Sequence, residues 1–155
     1  MATNVREIML QLQEEGSVFR LFSEEEIDRT SSYFDIYDYP AGSIVSKPGE
    51  PLDMMGIMVS GEATLEEETE LKGNWFVLAR MTRGAILAHP SLFGVKPPPV
   101  RVIIQKDTTF LGTDGKSFDS FIKKHPETGN IFLKEMIRVL FTRYRELAAR
   151  FNVVF

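Results

Sequence analysis

The chain of 155 residues contains no cysteine, so disulfide cross-links and thiolate metal sites are excluded. It has two histidines, His89 and His125. A metal centre of the kind found in small β-barrel enzymes needs clustered imidazoles with a carboxylate, and that ligand set is missing. No apolar run approaches the ~20 residues that cross a bilayer. The opening stretch MATNVREIMLQLQEEG is too polar for a secretory signal, and the expectation is a soluble, cytoplasmic chain with no membrane partner. There is no phosphate-binding glycine loop, no Gly-x-Ser-x-Gly elbow and no outstanding pair of carboxylates. No catalytic residue and no metal ligand is therefore assigned, and the chain is not expected to be an enzyme. A net charge of −4 argues against direct contact with nucleic acid. Its one basic stretch, around Arg138, Arg143, Arg145 and Arg150, is balanced by Glu135 and Glu146 and reads as a solvated helix face.

A hydrophobic share of 43% and a charged share of 26% are those of an ordinary globular domain with a real core. Val5, Ile8, Met9 and Leu12 fall on one helical face, and Gly16 ends that helix. Ser23 followed by three glutamates is a helix start, a hydroxyl cap with a capping-box Glu at the third helical position. From Phe34 to about Phe110 the pattern changes to short apolar runs broken by Gly, Pro and Asp. Strands are expected at 35–39, 43–47, 54–59, 63–68, 75–81, 100–105 and 108–111, the pattern of a sandwich or barrel. Glu66, Glu67, Glu68 and Glu70 read as a solvated hairpin edge, and Trp75 as a core or pocket-lining residue. The last third turns helical: a short helix over SFDSFIKK, a break at His125-Pro126, and a long helix from about Thr128 to Phe151. Leu133, Met136, Leu140, Tyr144, Leu147 and Phe151 form one stripe along it, which Phe132, Val139 and Phe141 widen. So broad an arc suggests that one side faces the β-rich segment and another a second subunit or a partner. Residues 1–33, 34–112 and 113–155 are thus the N-terminal helices, the β-rich segment and the C-terminal helices of a single domain, an α+β fold that is mainly β.

Three glycines are more informative than the composition. Gly42, Gly49 and Gly61 punctuate the run AGSIVSKPGEPLDMMGIMVSG, each a corner that favours positive φ. This order of residues (Gly42, Ile44-Val45, Gly49-Glu50, Asp53, the apolar 57–59, Gly61) resembles the first half of the cyclic nucleotide-binding domain family, which includes catabolite activator proteins and the regulatory subunits of cAMP-dependent kinase. Phe19, Phe22 and the Ser23 helix resemble the segment that precedes the roll in that family. The resemblance covers nearly the whole chain. It implies a jelly-roll-like β-roll, a double-stranded β-helix, flanked by N-terminal helices and a long C-terminal helix.

In that family the ligand lies in a cassette opened by a G-x-F-G-E-x-x-L-L stretch and closed by P-R-x-A-T/S-V. The Glu accepts the ribose hydroxyl and the Arg pairs with the cyclic phosphate. The corresponding segment here is RGAILAHPSLFGVKPPPVRVII. Gly84 stands at the first Gly, Ala88 at the second, and Leu92 with Phe93 at the apolar pair. His89 takes the place of the Glu, where its simplest role is to cap a short helix begun by Pro90. Pro98 takes the place of the Arg, and Pro99 has no N–H to donate. Loss of both anchors removes roughly 3–6 kcal/mol of binding, on the order of 10²–10⁴ in affinity. Lys96 and Arg101 flank the prolines, and either could offer a displaced cation through an altered loop. Arg101 sits three positions late, however, and strand alternation turns it to the opposite face. The candidate ligand-binding residues are Gly84, Ala88, His89, Leu92 and Arg101.

Two readings follow. In one, the chain is a non-catalytic regulatory, ligand-sensing module. It takes a cyclic nucleotide weakly, or another small anionic ligand, and signals through its long C-terminal helix. In the other, the roll is a scaffold, and the helices make a homodimer or dock a protein partner with no small-molecule ligand.

Overall fold

The computed structural model describes residues 4–152. The chain divides into two compact units: Tyr33–Phe118, and the flanking segments Met1–Ser32 with Asp119–Phe155.

The flanking unit begins with α1 (Val5–Glu14), whose buried face is Ile8, Met9 and Leu12. Asn4 caps it by accepting the Glu7 N–H at 2.9 Å. Next is α2 (Glu24–Ser31), which starts in the expected capping box: Ser23 Oγ accepts the Glu26 N–H, and the Glu26 carboxylate accepts the Ser23 N–H. Arg6 ties the two helices through Glu24 at 2.8 Å and through Asp28. The long helix α4 (Pro126–Asn152) contributes Phe132 to a cluster with Phe19, Phe22 and Phe121. Beside it Glu135 is buried between Arg20 (2.8 Å) and Arg138 (2.9 Å). The two guanidiniums, Arg20 foremost, hold this carboxyl below its ordinary value against the opposing effect of burial. The apolar stripe on α4 is split. Phe132 and Met136 are buried, whereas Ile137, Leu140, Phe141, Tyr144 and Phe151 are exposed.

The other unit is the roll. Its strands are β1 (Asp35–Tyr39), β2 (Ile44–Ser46), β3 (Met55–Glu68), β4 (Trp75–Met81), β5 (Ile86–Ala88) and β6 (Val100–Thr113). All pairings are antiparallel, in the order β1-β6-β3-β4, with β2 also on β6 and β5 also on β3. Its core holds Val45, Met54, Met58, Ala63, Met81, Leu87, Val102, Ile104 and Phe110. The helix α3 (Gly115–Lys124) follows β6 directly.

Two expectations change here. The runs 54–59 and 63–68 are one strand, β3, and 100–105 with 108–111 are one strand, β6. Gly61 is therefore a mid-strand irregularity, not a corner. The ladder shifts register between Met58 and Ala63, and Gly61 takes φ +98° within that stretch. A Cβ there would lie 2.2 Å from Thr108 Oγ and 2.5 Å from the Asp107 carbonyl. The second change is Glu66, placed above at a solvated edge but buried in the structure. The next two glutamates of β3, Glu67 and Glu68, are exposed as expected.

Gly61→Ala should lower the unfolding free energy by about 2 kcal/mol or more, through strain at positive φ and backbone overlap. Urea denaturation measures it; a loss within about 0.5 kcal/mol would mean that the ladder can relax around the bulge.

Candidate functional site

The segment between β5 and β6 is built by local rules. Gly84 takes φ +88° and donates its N–H to the Met58 carbonyl at 2.8 Å, which sets the entry turn. β5 then pairs Ala88 with Met55, Leu87 with Gly56 and Ile86 with Ile57. At His89 the chain leaves the sheet. Pro90 fixes the first position of a 3-10 turn, Pro90–Phe93, and Gly94 closes it in the left-handed conformation at φ 72°.

His89 caps that turn. Its side chain is buried, and Nδ1 accepts the Ser91 N–H at 3.3 Å. The Ser91 hydroxyl lies 2.6 Å from the same nitrogen. An accepting Nδ1 places the ring proton of the neutral imidazole on Nε2. Burial pushes the imidazole below its ordinary value of 6.5. The Ser91 hydroxyl also accepts the Leu52 N–H at 3.2 Å and lies 3.3 Å from the Leu52 carbonyl. Farther on, the Pro98 carbonyl accepts the Gly49 N–H at 3.0 Å.

Arg101 is committed elsewhere. Its Nε and Nη2 both reach one Glu66 oxygen, at 3.0 and 2.8 Å, and its guanidinium lies over Trp75, 3.8 Å from the ring centroid. Thr64 donates to the other Glu66 oxygen at 2.7 Å, and Gln105 donates to Thr64 at 2.9 Å. Burial alone would raise the Glu66 carboxyl. The Thr64 hydroxyl and the Arg101 guanidinium outweigh it and hold the group below its ordinary value. Arg101 pairs with Glu66 across β3 and β6, one residue out of step with Val102 and Ile104, which lie in the core. Its side chain thus occupies the opposite face of the sheet.

The profile of the cyclic nucleotide-binding domain matches residues 37–125, more than half of the chain. The chain belongs to the cyclic nucleotide-binding domain family. No curated protein sequence matches it significantly. Among solved structures, a cyclic nucleotide-binding domain from Methylobacillus flagellatus KT superposes with TM-score 0.84 at 23% identity, covering 97% of this chain and 84% of that one. The Thermus thermophilus catabolite activator protein superposes with TM-score 0.72 at 22% identity, covering 88% and 62%. The regulatory domain of Toxoplasma gondii PKA, crystallised with cAMP, gives TM-score 0.66 at 13% identity, covering 86% and 50%. At these identities the structural likeness is one of fold.

Within this family member the candidate residues separate into two groups. Gly84, Ala88, His89 and Leu92 lie on the continuous cassette from the entry turn through the 3-10 turn. Arg101 is held on the outer face of the sheet by Glu66 and Trp75. Residue patterns missed three participants. Glu66 was masked by the run of acids around it. Trp75, read above as core or pocket lining, is half-buried under the Arg101 guanidinium, a contact no residue pattern signals. Ser91 is an ordinary residue that matters because of what packs beside it. Among the described residues no group of three or more His, Asp or Glu is placed to hold a metal ion, and no helix is long and apolar enough to cross a membrane.

Arg101→Ala should destabilise the fold by about 3 kcal/mol, because it leaves a buried Glu66 without its counter-ion. Denaturant titration tests this, and a loss below about 0.5 kcal/mol would place the pair among weak surface pairs. A second expectation concerns acid. The folded chain holds His89 neutral, while the unfolded chain takes up its proton near pH 6.5. The contribution of His89 to stability is therefore complete above that pH and declines as pH falls toward the lower folded value. Thermal unfolding between about pH 7.5 and 5.5 should be less pH-dependent in His89→Asn, a variant whose amide oxygen can still cap Ser91. Equal slopes in the two proteins would show that His89 does not titrate on unfolding.

Proposed function

We propose that this chain is a non-catalytic regulatory module. Its cassette does not take cAMP or cGMP in the family's usual manner, and its output runs through α4. Membership of the family supports a ligand-sensing, regulatory role. One observation carries the finer reading: the cation nearest the cassette's closing end in the strand, Arg101, is already neutralised by Glu66 and stacked on Trp75. Recruiting it to a phosphate would break a buried ion pair and strand a carboxylate, at a cost of about 3–5 kcal/mol. His89 is likewise occupied as a cap. A ligand of this cassette is then a small anion or nucleotide held by other groups, and it acts only through unequal affinity for two states of the module.

A second reading has its own support. Ile137, Leu140, Phe141 and Tyr144 line an open apolar depression of about 370 Å³ on α4. A helix with so much exposed apolar surface suits a homodimer or a protein partner. In that case the roll is scaffold.

Calorimetric titration of the full chain with cAMP and cGMP separates the cases. The expected result is no saturable heat at micromolar nucleotide. Saturable micromolar binding would overturn the proposed cassette chemistry. Sedimentation across concentrations then tests the second reading, which expects self-association that Leu140→Asp weakens by tenfold or more.

A further inference from the structure

The five residues from Gly49 to Asp53 touch three separate parts of the roll. Gly49 gives its N–H to the Pro98 carbonyl at 3.0 Å. The Leu52 N–H donates to Ser91 Oγ at 3.2 Å, and the Leu52 carbonyl lies 3.3 Å from the same oxygen. The Asp53 carboxylate accepts the Gly115 N–H at 2.7 Å, at the first residue of α3. Ser91 lies inside the 3-10 turn of the cassette and Pro98 lies beyond its end. A single short turn thus contacts the segment between β5 and β6 at two points, Ser91 and Pro98, and it also satisfies a donor at the start of the next helix.

The hydroxyl of Ser91 is the junction. It has one proton and two lone pairs, and it faces three neighbours: the Leu52 N–H, the Leu52 carbonyl and His89 Nδ1. The 2.6 Å contact with the imidazole is the shortest and takes the proton, so the hydroxyl oxygen joins the buried cap to the turn by accepting the Leu52 N–H, while the Leu52 carbonyl is only a close neighbour. All of these partners belong to the chain itself.

We infer that the Gly49–Asp53 turn is an internal clasp, which holds the cassette in one conformation without ligand and couples it to α3, with Ser91 as the point of release. The inference rests on the reading of the cassette as a regulatory element and specifies how that element is controlled. Regulation then means opening the clasp, and whatever loosens the Ser91–Leu52 contacts loosens Pro98 and the start of α3 with it.

The test is amide hydrogen exchange of the full chain, read residue by residue by NMR, in the absence of nucleotide. Ser91→Ala should speed exchange at Leu52 by about tenfold, the scale of one lost hydrogen bond, and speed Gly49 and Gly115 with it. Ser91→Thr, which keeps the hydroxyl, should preserve protection at all three. If Ser91→Ala fails to fold, Asp53→Ala removes an exposed carboxylate and should speed exchange at Leu52 and Gly49 as well as at Gly115. Faster exchange confined to the amide whose partner was removed would overturn the clasp, as would no change at all. That failure is distinct from failure of the proposed function. Micromolar nucleotide heat refutes the cassette reading whatever the exchange pattern, and uncoupled amides refute the clasp even when no nucleotide binds.

Discussion

β1 and β2 hydrogen-bond to β6, and β4 and β5 to β3, so the register between β3 and β6 sets the position of every other strand in the roll. These two strands pair from Met55↔Thr113 to Glu67↔Val100, and the shifts near Gly61 divide the ladder into two regular stretches. One stretch places Met58 opposite Phe110, and the other places Ala63 opposite Ile104. Both pairs feed the same core. A slip of one residue in either stretch would exchange core and outer faces. In the second stretch a slip of β6 would turn Arg101 inward, away from Glu66, and expel Val102 and Ile104. The buried ion pair and the hydrophobic core therefore enforce the same register from opposite sides of the sheet.

That register also sets which face of the sheet the Arg101 side chain occupies. A guanidinium on an even-numbered position of this part of β6 would face the core side, with Val102 and Ile104. At position 101 it faces away and has found a carboxylate and an indole instead. On the other side the cassette closes with its own groups: an imidazole as cap, a serine hydroxyl as junction and a proline carbonyl as acceptor. The family's fold is kept, and the polar groups of this segment are directed at one another.

Much of this could be read from residue types. The capping box at Ser23, the buried face of α1 and the break before Pro126 follow from local rules that need no tertiary knowledge. His89 as a cap before Pro90 was legible for the same reason. The alternation argument for Arg101 was equally local, and its side chain does lie on the face away from the core. Gly61 was read as a corner because a bulge and a turn both use positive φ; only the partner strand distinguishes them. Glu66 was hidden because burial of one acid in a run of four depends on a residue 35 positions away, Arg101. The strand β5 was invisible because three residues carry too little periodicity to register. On α4 the stripe was legible but its division was not, since periodicity marks a face without saying how far along the helix that face is covered.

The chain has a single tryptophan, and the Arg101 guanidinium lies over its face. Indole emission is sensitive to a nearby cation and to solvent access. The molecule therefore carries a built-in optical reporter at the junction of β3, β4 and β6, one that needs no label. Its colour and intensity respond to that contact on the outer face of the sheet, so light emitted by an unmodified sample can reveal whether that charge has let go.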